Sequence, residues 1–182
     1  MPDTPTPEIT PRMRASAIAN PDTWLYVIDP AFDAESDIPM WAVVGAYRVD
    51  AQGKVDPTFQ PNAEYRPSPT ALRMPAPASE LERLLQWITT GHRPEADLPA
   101  AVLRARLLVY AAGPADHAVT AFPDRTGRIM VPACTSVAHV PKAWPGWREI
   151  PGRDLAPLLG PYPLVVNPTG PITALLPPSA LT

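Results

Sequence analysis

Residues 95–110 read Glu-Ala-Asp-Leu-Pro-Ala-Ala-Val-Leu-Arg-Ala-Arg-Leu-Leu-Val-Tyr, and this stretch decides the fold class. Its apolar spacing predicts an amphipathic helix from about Glu95 to Arg106, since a proline in the first turn is tolerated. The apolar run 107–110 then predicts a strand. The same helix-then-strand order is predicted at 10–28 and 152–167, with hairpin-like segments between. We therefore expect an α+β fold: a mixed, mostly antiparallel sheet with several short helices packed on it and many proline-rich loops.

Other predicted elements fill the chain between these units. Ser79 and Glu82 have capping-box spacing, and the apolar residues that follow at helical spacing predict a helix that Gly91 ends. Six prolines between residues 57 and 77 predict an extended strap. Strand-forming runs predict further strands at 24–28, 41–49, 119–122, 128–134, 147–150, 164–167 and 172–176.

Chain length and proline content set the expected domain organisation. With 182 residues, 28 of them proline, the chain suits one domain of ordinary size or one domain with an extra lobe. We expect a disordered tail over 1–8, an N-terminal region with a hairpin and the proline-rich strap over 9–77, and a second region over 78–182. The two regions are expected to form one compact unit.

Charge and hydropathy exclude several kinds of partner. The net charge is −3, and we find no basic stripe, so the usual electrostatic basis for binding nucleic acid or an anionic membrane surface is missing. No apolar run approaches the 18 residues that a span requires, so we expect no membrane insertion. The N-terminal residues do not resemble a signal peptide, and the single cysteine suits a reducing compartment. We expect a cytoplasmic protein.

Residue types that usually carry catalysis do not form a recognised pattern. The imidazole and thiol groups of the chain are those of His92, His117, His139 and Cys134. Their spacing fits no zinc or nucleophile motif, and neither a Gly-x-Ser-x-Gly elbow nor a glycine-rich phosphate loop is present. Two carboxylate pairs are interpreted as capping or solvated groups: Glu80 with Glu82, and Asp22 with Asp29. We expect no catalytic residue, no metal site and no cofactor, and therefore no enzyme.

One stretch has the composition of a binding surface. It is Trp144-Pro-Gly-Trp-Arg148 followed by Pro151-Gly-Arg-Asp154, and tryptophan and arginine are enriched at interface hot spots. An alternative is structural: Trp147 in the core, Trp144 half covering a loop, and a local ion pair at a helix start. Asn167, at the end of a predicted buried strand, caps a turn or lines a groove. The candidate binding residues are Trp144, Trp147, Arg148, Arg153, Asp154 and Asn167.

A series of short motifs in the second region resembles a known family. They are Ala105-Arg-Leu-Leu-Val109, Thr126-Gly-Arg128, Trp144-Pro-Gly-Trp-Arg148, Pro151-Gly-Arg-Asp-Leu155 and Val166-Asn-Pro168. Their order and spacing resemble the SseB domain associated with serine sensitivity, which is unrelated to the type III translocon protein of the same name. The likeness covers roughly residues 79–181. Tyr110 and Cys134 depart from the pattern, where such domains often have proline and phenylalanine, and both departures change packing rather than chemistry.

The N-terminal region narrows the resemblance. Its motifs are Pro7-Glu-Ile-Thr10, Trp24-Leu-Tyr-Val-Ile-Asp-Pro30, Val43-Val-Gly-Ala-Tyr-Arg48 and Tyr65-Arg-Pro-Ser-Pro-Thr-Ala-Leu72. Together they resemble the N-terminal region of type VII secretion system-associated proteins of actinobacteria. This resemblance implies an association with a secretion system and no established reaction, cofactor or catalytic residue.

Three functional hypotheses follow from these patterns. The leading one is a non-catalytic accessory protein that recognises a protein partner, either a secretion component or a secreted substrate. The alternative, which the SseB likeness alone suggests, is a small-molecule-binding regulator or an enzyme linked to serine or sulfur metabolism. A third is immunity or toxin neutralisation, which no residue pattern separates from the first.

Overall fold

The structure is a computed structural model, and it describes residues 6–33 and 37–182. The chain divides into two compact units, the first ending at Met74 and the second spanning Pro75–Thr182. The expectation that the regions 9–77 and 78–182 form one compact unit stays a prediction. Residues 1–5 of the expected disordered tail lie outside the described residues, and the Pro7 carbonyl accepts a hydrogen bond from the Tyr47 hydroxyl.

The first unit packs a helix on an antiparallel sheet. Helix α1 (Pro11–Ala19) begins after Thr10, whose hydroxyl accepts a hydrogen bond from the Met13 amide at 3.2 Å. The strands are β1 (Trp24–Ile28), β2 (Val43–Val49) and β3 (Val55–Pro61), in the spatial order β1-β2-β3. Ala17 of the helix and three side chains of the sheet form the core: Tyr47, Val49 and Val55. The predicted hairpin of 24–28 with 41–49 is confirmed, although a 3-10 turn (Met40–Ala42) precedes β2.

Strand β3 corrects the predicted extent of the proline-rich strap. The prolines at 57 and 61 lie within β3, which pairs with β2. Since β3 pairs with β2 alone in the described part of the chain, it is an edge strand, where a missing amide hydrogen does not break the ladder. The prediction that the irregular strap starts at residue 57 was wrong because it treated every proline as a strand breaker.

A buried carboxylate fixes the strap to the end of β1. Asp29 is fully buried and accepts hydrogen bonds from the Ser68 hydroxyl at 2.5 Å, the Ser68 amide at 2.9 Å and the Tyr65 hydroxyl at 3.0 Å. It also accepts one from the Ala31 amide at 2.9 Å, which is the turn contact that the sequence predicted for it. Burial, together with the hydrogen bond to Asp29, raises the pKa of Tyr65. Two of the sequence motifs, 24–30 and 65–72, therefore meet at this carboxylate.

The second unit is built on a mixed sheet. Its helices are α2 (Glu80–Thr89), α3 (Leu98–Arg104) and α4 (Gly152–Leu155). Its strands are β4 (Arg106–Tyr110), β5 (Phe122–Pro123), β6 (Ile129–Cys134), β7 (Trp147–Pro151), β8 (Leu164–Val166) and β9 (Ala174–Leu176). The main path of the sheet has the order β7-β4-β6-β8-β9, and β5 pairs with β6. Only β6 and β8 pair in parallel within the described ranges. The α+β prediction is confirmed.

The helices of the second unit pack their apolar side chains into one core with the sheet. Leu81 and Leu85 of α2 are buried in one core with Leu107 and Val109 of β4, and burying each leucine contributes about 1.5–3 kcal/mol. The Ser79 hydroxyl accepts a hydrogen bond from the Glu82 amide at 3.2 Å, as the capping spacing predicts. Gly152 is required where α4 meets α3, because a Cβ atom there would lie 1.8 Å from the Val102 carbonyl oxygen.

Two predicted elements differ most from the structure in where they begin and end. The helix expected from Glu95 to Arg106 consists of a 3-10 turn (Glu95–Asp97) followed by α3, which ends at Arg104. The strand expected at 119–122 shares only Phe122 with the observed two-residue strand β5. None of the helices in the described ranges has the length and apolar character that a membrane span requires.

Candidate protein-binding site

Four aromatic side chains lie together around the end of β4: Tyr110, Phe122, Trp144 and Trp147. The rings of Tyr110 and Phe122 meet edge to face, with centroids 5.0 Å apart and planes at 73°. Tyr110 and Trp144 meet in the same way, at 5.8 Å and 88°. Trp147 stands directly opposite Tyr110 in the β4–β7 ladder. Tyr110 is therefore the centre of the group, which we call the aromatic surface.

The aromatic surface is partly open to solvent. Trp147 is 44% exposed, while Tyr110, Phe122 and Trp144 are half-buried. The alternative interpretation that Trp147 is a core residue is therefore wrong, whereas the half-buried position expected for Trp144 is found. Edge-to-face pairs favour a fixed ring geometry and restrict side-chain motion. The group thus presents apolar area on side chains that are already ordered.

Arg148 holds a loop instead of facing solvent. Its Nη2 donates to the carbonyl of His117 at 2.8 Å and to that of Ala118 at 3.4 Å. Its Nε is buried and has no hydrogen-bond partner in the described part of the chain. Arg148 therefore positions the segment between β4 and β5, and the structure does not bring it into the aromatic surface.

Arg153 and Asp154 lie at the start of α4 and are both exposed. Arg153 Nε is 3.7 Å from Asp154 Oδ1, which is the local ion pair considered from the sequence. Exposed pairs of this kind contribute little to stability. Both side chains remain accessible to a partner, and within the described residues no hydrogen bond or ion pair joins them to the four aromatic residues.

Asn167 belongs to a separate buried group, which we call the polar cluster. Its members are Glu82, Thr135, His139 and Asn167. Asn167 is 2% exposed and has a φ of 53°, a left-handed conformation that asparagine tolerates better than most residues. Its Oδ1 accepts a hydrogen bond from the Thr135 amide at 2.9 Å and lies 3.0 Å from the Thr135 hydroxyl oxygen. Asn167 thus caps the end of β6 from the loop after β8.

Glu82 connects helix α2 to the polar cluster. Its carboxylate accepts hydrogen bonds from the Ala78 amide at 2.7 Å and the Thr135 hydroxyl at 2.5 Å, and Oε1 lies 3.4 Å from His139 Nε2. Burial alone would raise the pKa of Glu82, but the hydrogen bonds from Thr135 and Ala78, together with the neighbouring His139, outweigh it and lower the pKa. The interpretation of Glu82 as a solvated carboxylate was wrong, because the capping pattern reports only neighbours along the chain.

Cys134 lies next to the polar cluster, and its thiol bonds to the backbone of His139 instead of to the His139 ring. Its thiol donates to the backbone carbonyl of His139 at 3.2 Å, and burial raises the pKa of the thiol to about 11. The His139 ring is paired instead with Glu82. A protonated, buried thiol on a carbonyl acceptor is a weak nucleophile. Across residues 6–33 and 37–182, no three His, Cys, Asp or Glu side chains are grouped so that they could hold a metal ion.

Sequence reasoning missed the central role of Tyr110 and Phe122, and it also missed exposed aromatic residues in the first unit. Trp24 and Tyr26 of β1 are 38% and 60% exposed. Their alternation with the less exposed Leu25 and Val27 is the signal that could have found them, since successive strand residues point to opposite faces. They form part of the sheet face opposite the core of that unit.

Fold and site together define an α+β domain in which the buried side chains of Glu82, Thr135 and Asn167 form hydrogen bonds with each other or with the backbone, while aromatic side chains remain open near the β7 edge of a mixed sheet. The family model for the SseB protein N-terminal domain matches residues 81–182, more than half of the chain, and the chain belongs to this family. No curated protein and no solved structure matches the chain. The extent of the match agrees with the resemblance over 79–181.

Proposed function

We propose that the chain is a non-catalytic accessory protein that recognises a protein partner through the aromatic surface. The observation that carries the proposal is Trp147, a large side chain left 44% exposed beside three half-buried aromatic residues. Large, stiff aromatic groups are the residues on which binding energy concentrates in protein interfaces. Trp144 and Trp147 are the principal contacts, and exposed Arg153 and Asp154 flank them along the chain.

The proposal of a non-catalytic protein rests on the hydrogen bonds that the chemically reactive side chains form inside the domain. The Cys134 thiol is bound to a carbonyl, and the Glu82 carboxylate accepts hydrogen bonds from Ala78 and Thr135. Asn167 caps β6 in the same way. Each of these groups takes part in hydrogen bonds inside the domain, which favours a structural role over proton transfer.

Association with type VII secretion is the more specific part of the proposal. Two supports are the membership of the SseB protein N-terminal domain family and the motif resemblance of the N-terminal region. A third is that Asp29 and Ser68, which belong to two of those motifs, contact each other in the fold of the first unit. The partner would then be a component or substrate of the secretion system, met in the cytoplasm.

Capture from cells of the native source tests the proposal. The bait is the full chain as wild type, as a Trp144→Ala/Trp147→Ala double variant and as Tyr162→Ala. Tyr162 is a suitable control because it lies in the same unit and is 40% exposed, close to the exposure of Trp147. The proposal predicts a protein retained by wild type and Tyr162→Ala and lost from the double variant. The same retained proteins on all three baits would refute the assigned surface.

A further inference from the structure

Backbone hydrogen bonds at the two ends of β7 show which of its amide and carbonyl groups face away from β4. The Ala111 amide donates to the Gly146 carbonyl, and the Gly152 amide donates to the Ala105 carbonyl. In an antiparallel ladder, residues alternate between those that bond to the neighbouring strand and those that do not. Gly146 and Gly152 both bond to the neighbouring segment, so every second residue between them, Arg148 and Ile150, also bonds to β4. The amide and carbonyl groups of Trp147 and Glu149 therefore point away from β4.

That outer edge is open in the described ranges. Strand β7 pairs with β4 alone, and no other described segment forms a backbone hydrogen bond with Trp147 or Glu149. Both residues are exposed. An edge of this kind is a template for a further strand. The strand is short and ends at Pro151, which has no amide hydrogen, so the available site covers about the two residues Trp147 and Glu149.

Side chains along the edge define what a new strand must carry. Trp147 and Glu149 lie on the same face, because side chains two apart in a strand point the same way. The Glu149 carboxylate forms an ion pair with Arg106 of β4 and is 43% exposed. A cation on the open side would place this carboxylate between two positive groups. Opposite Trp147, a large apolar side chain would extend the aromatic surface.

We propose that the edge of β7 binds an extended segment of the protein partner as an added strand. In that segment, a large apolar residue lies against Trp147 and a lysine or arginine two positions away lies against Glu149. This deepens the proposed function and rests on it, since it states how the partner is held. Backbone hydrogen bonds to Trp147 and Glu149 supply the affinity, and the two side-chain contacts supply the specificity.

A second copy of this chain fits the same edge less well. If two β7 strands pair antiparallel about a two-fold axis with their outward groups bonded, Trp147 faces Glu149 of the other copy, Glu149 faces itself, or Trp147 faces itself with Glu149 opposite Pro145, which offers neither an amide hydrogen nor a positive charge. The first arrangement places a carboxylate against an indole, and the second places like charges opposite each other, which is destabilising. The exposed carboxylate therefore favours a basic segment from another protein.

Peptide display on the purified full chain tests the proposed chemistry. A random 12-residue library is selected on wild type and, in parallel, on Glu149→Lys. Wild type is expected to enrich peptides with an apolar residue two positions from lysine or arginine, and Glu149→Lys to replace that basic residue by aspartate or glutamate. A selected peptide should bind Glu149→Lys about fivefold more weakly than wild type. The same enriched pattern on both proteins, or no enrichment on either, would overturn the proposal.

Amide exchange measured by NMR tests the strand addition itself. Binding of the selected peptide is expected to slow exchange at Trp147 and Glu149, with little change at Arg148 and Ile150, which already bond to β4. Glu149→Pro removes an outward amide hydrogen and breaks no hydrogen bond to β4. It should therefore weaken the affinity for the peptide at least tenfold more than Glu149→Gln does. Unchanged exchange at Trp147 and Glu149 would overturn the strand addition.

Two further outcomes separate this inference from the proposed function. If Trp144→Ala/Trp147→Ala loses the captured partner while amide exchange at the edge stays unchanged, the partner binds the aromatic surface without adding a strand. In that case the inference fails and the proposed function stands. Sedimentation of wild type and Glu149→Pro tests the other occupant. If wild type is a dimer and Glu149→Pro is a monomer, the edge of β7 binds a second copy of the chain, and the proposal of a basic partner segment is overturned.

Discussion

Trp144 packs edge to face on Tyr110, with ring centroids 5.8 Å apart, and this contact fixes the loop before β7 onto β4. Phe122 packs on the same ring from the short strand β5. One tyrosine thus orders two segments that are separated along the chain. The aromatic surface is stiff because its members restrain each other, and little conformational entropy remains to be lost when a partner binds.

Replacing Tyr110 by alanine should loosen this group. Two edge-to-face contacts are lost, each worth about 0.5–1.5 kcal/mol beyond area burial, so their loss alone is expected to lower the free energy of unfolding by about 1–3 kcal/mol. Denaturant unfolding measures the loss, and the indole resonance of Trp144 should broaden or shift. Tyr162→Ala is the control, since Tyr162 is 40% exposed. An unaltered Trp144 resonance in Tyr110→Ala would contradict the role given to Tyr110.

Glu82 predicts a pH dependence of stability. The pKa of Glu82 is lowered in the folded chain, so the folded state binds fewer protons than the unfolded state near that pKa. Its contribution is therefore present above the ordinary pKa of 4.5 and is lost as the pH falls through the lower folded value. Wild type should lose more stability than Glu82→Gln between about pH 5 and pH 3.

Glu82→Gln should also be less stable at pH 7. A glutamine cannot accept hydrogen bonds at both the Ala78 amide and the Thr135 hydroxyl, and a disrupted buried contact of this kind costs about 1–3 kcal/mol. Glu80→Gln is the matched control, because Glu80 lies in the same helix turn and its side chain is 85% exposed. Equal stability of the two variants at pH 7 would show that the polar cluster does not fasten α2 to β6.

Cys134 should be slow to react with alkylating reagents in the folded chain. Burial raises the pKa of its thiol from 9.0 to about 11, so the thiolate fraction at pH 8 falls by roughly a hundredfold. Mass spectrometry after iodoacetamide treatment should show labelling at least that much slower than in denaturant. Cys134→Ser should leave partner capture unchanged. Rapid labelling of the native chain would contradict the low reactivity of the Cys134 thiol and would favour the alternative hypothesis of an enzyme.

Asp29→Asn should destabilise the first unit. The asparagine side chain has one acceptor oxygen, whereas the Asp29 carboxylate accepts from two groups of Ser68 and one each of Tyr65 and Ala31. Each buried donor left without an acceptor costs about 1–3 kcal/mol, so a loss of about 3 kcal/mol is expected. Hydrogen-exchange protection of the β1 and β2 amides measures this loss of stability. Glu64→Gln is the control, because Glu64 is an exposed carboxylate of the same unit. Equal protection in the two variants would contradict the role of Asp29.

Local patterns predicted most elements, and contacts between distant residues explain what they missed. Capping, periodicity and turn residues located α1, α2 and the main strands, since those signals act within a few residues. The same patterns assigned Glu82 to solvent, although it meets Thr135, which is 53 residues away. Arg148 and Asn167 were selected for residue type, yet they bond to the carbonyl of His117 and to Thr135. The exposed position of Trp147 depends on where β7 lies in the sheet, which no local pattern reports.

The most direct test is the affinity of a captured partner for three purified chains: wild type, Trp147→Ala and Tyr162→Ala, measured by calorimetry. Recognition through the aromatic surface predicts binding about tenfold or more weaker for Trp147→Ala and unchanged within about twofold for Tyr162→Ala. Equal affinities for all three chains would contradict the aromatic surface as the site of partner recognition.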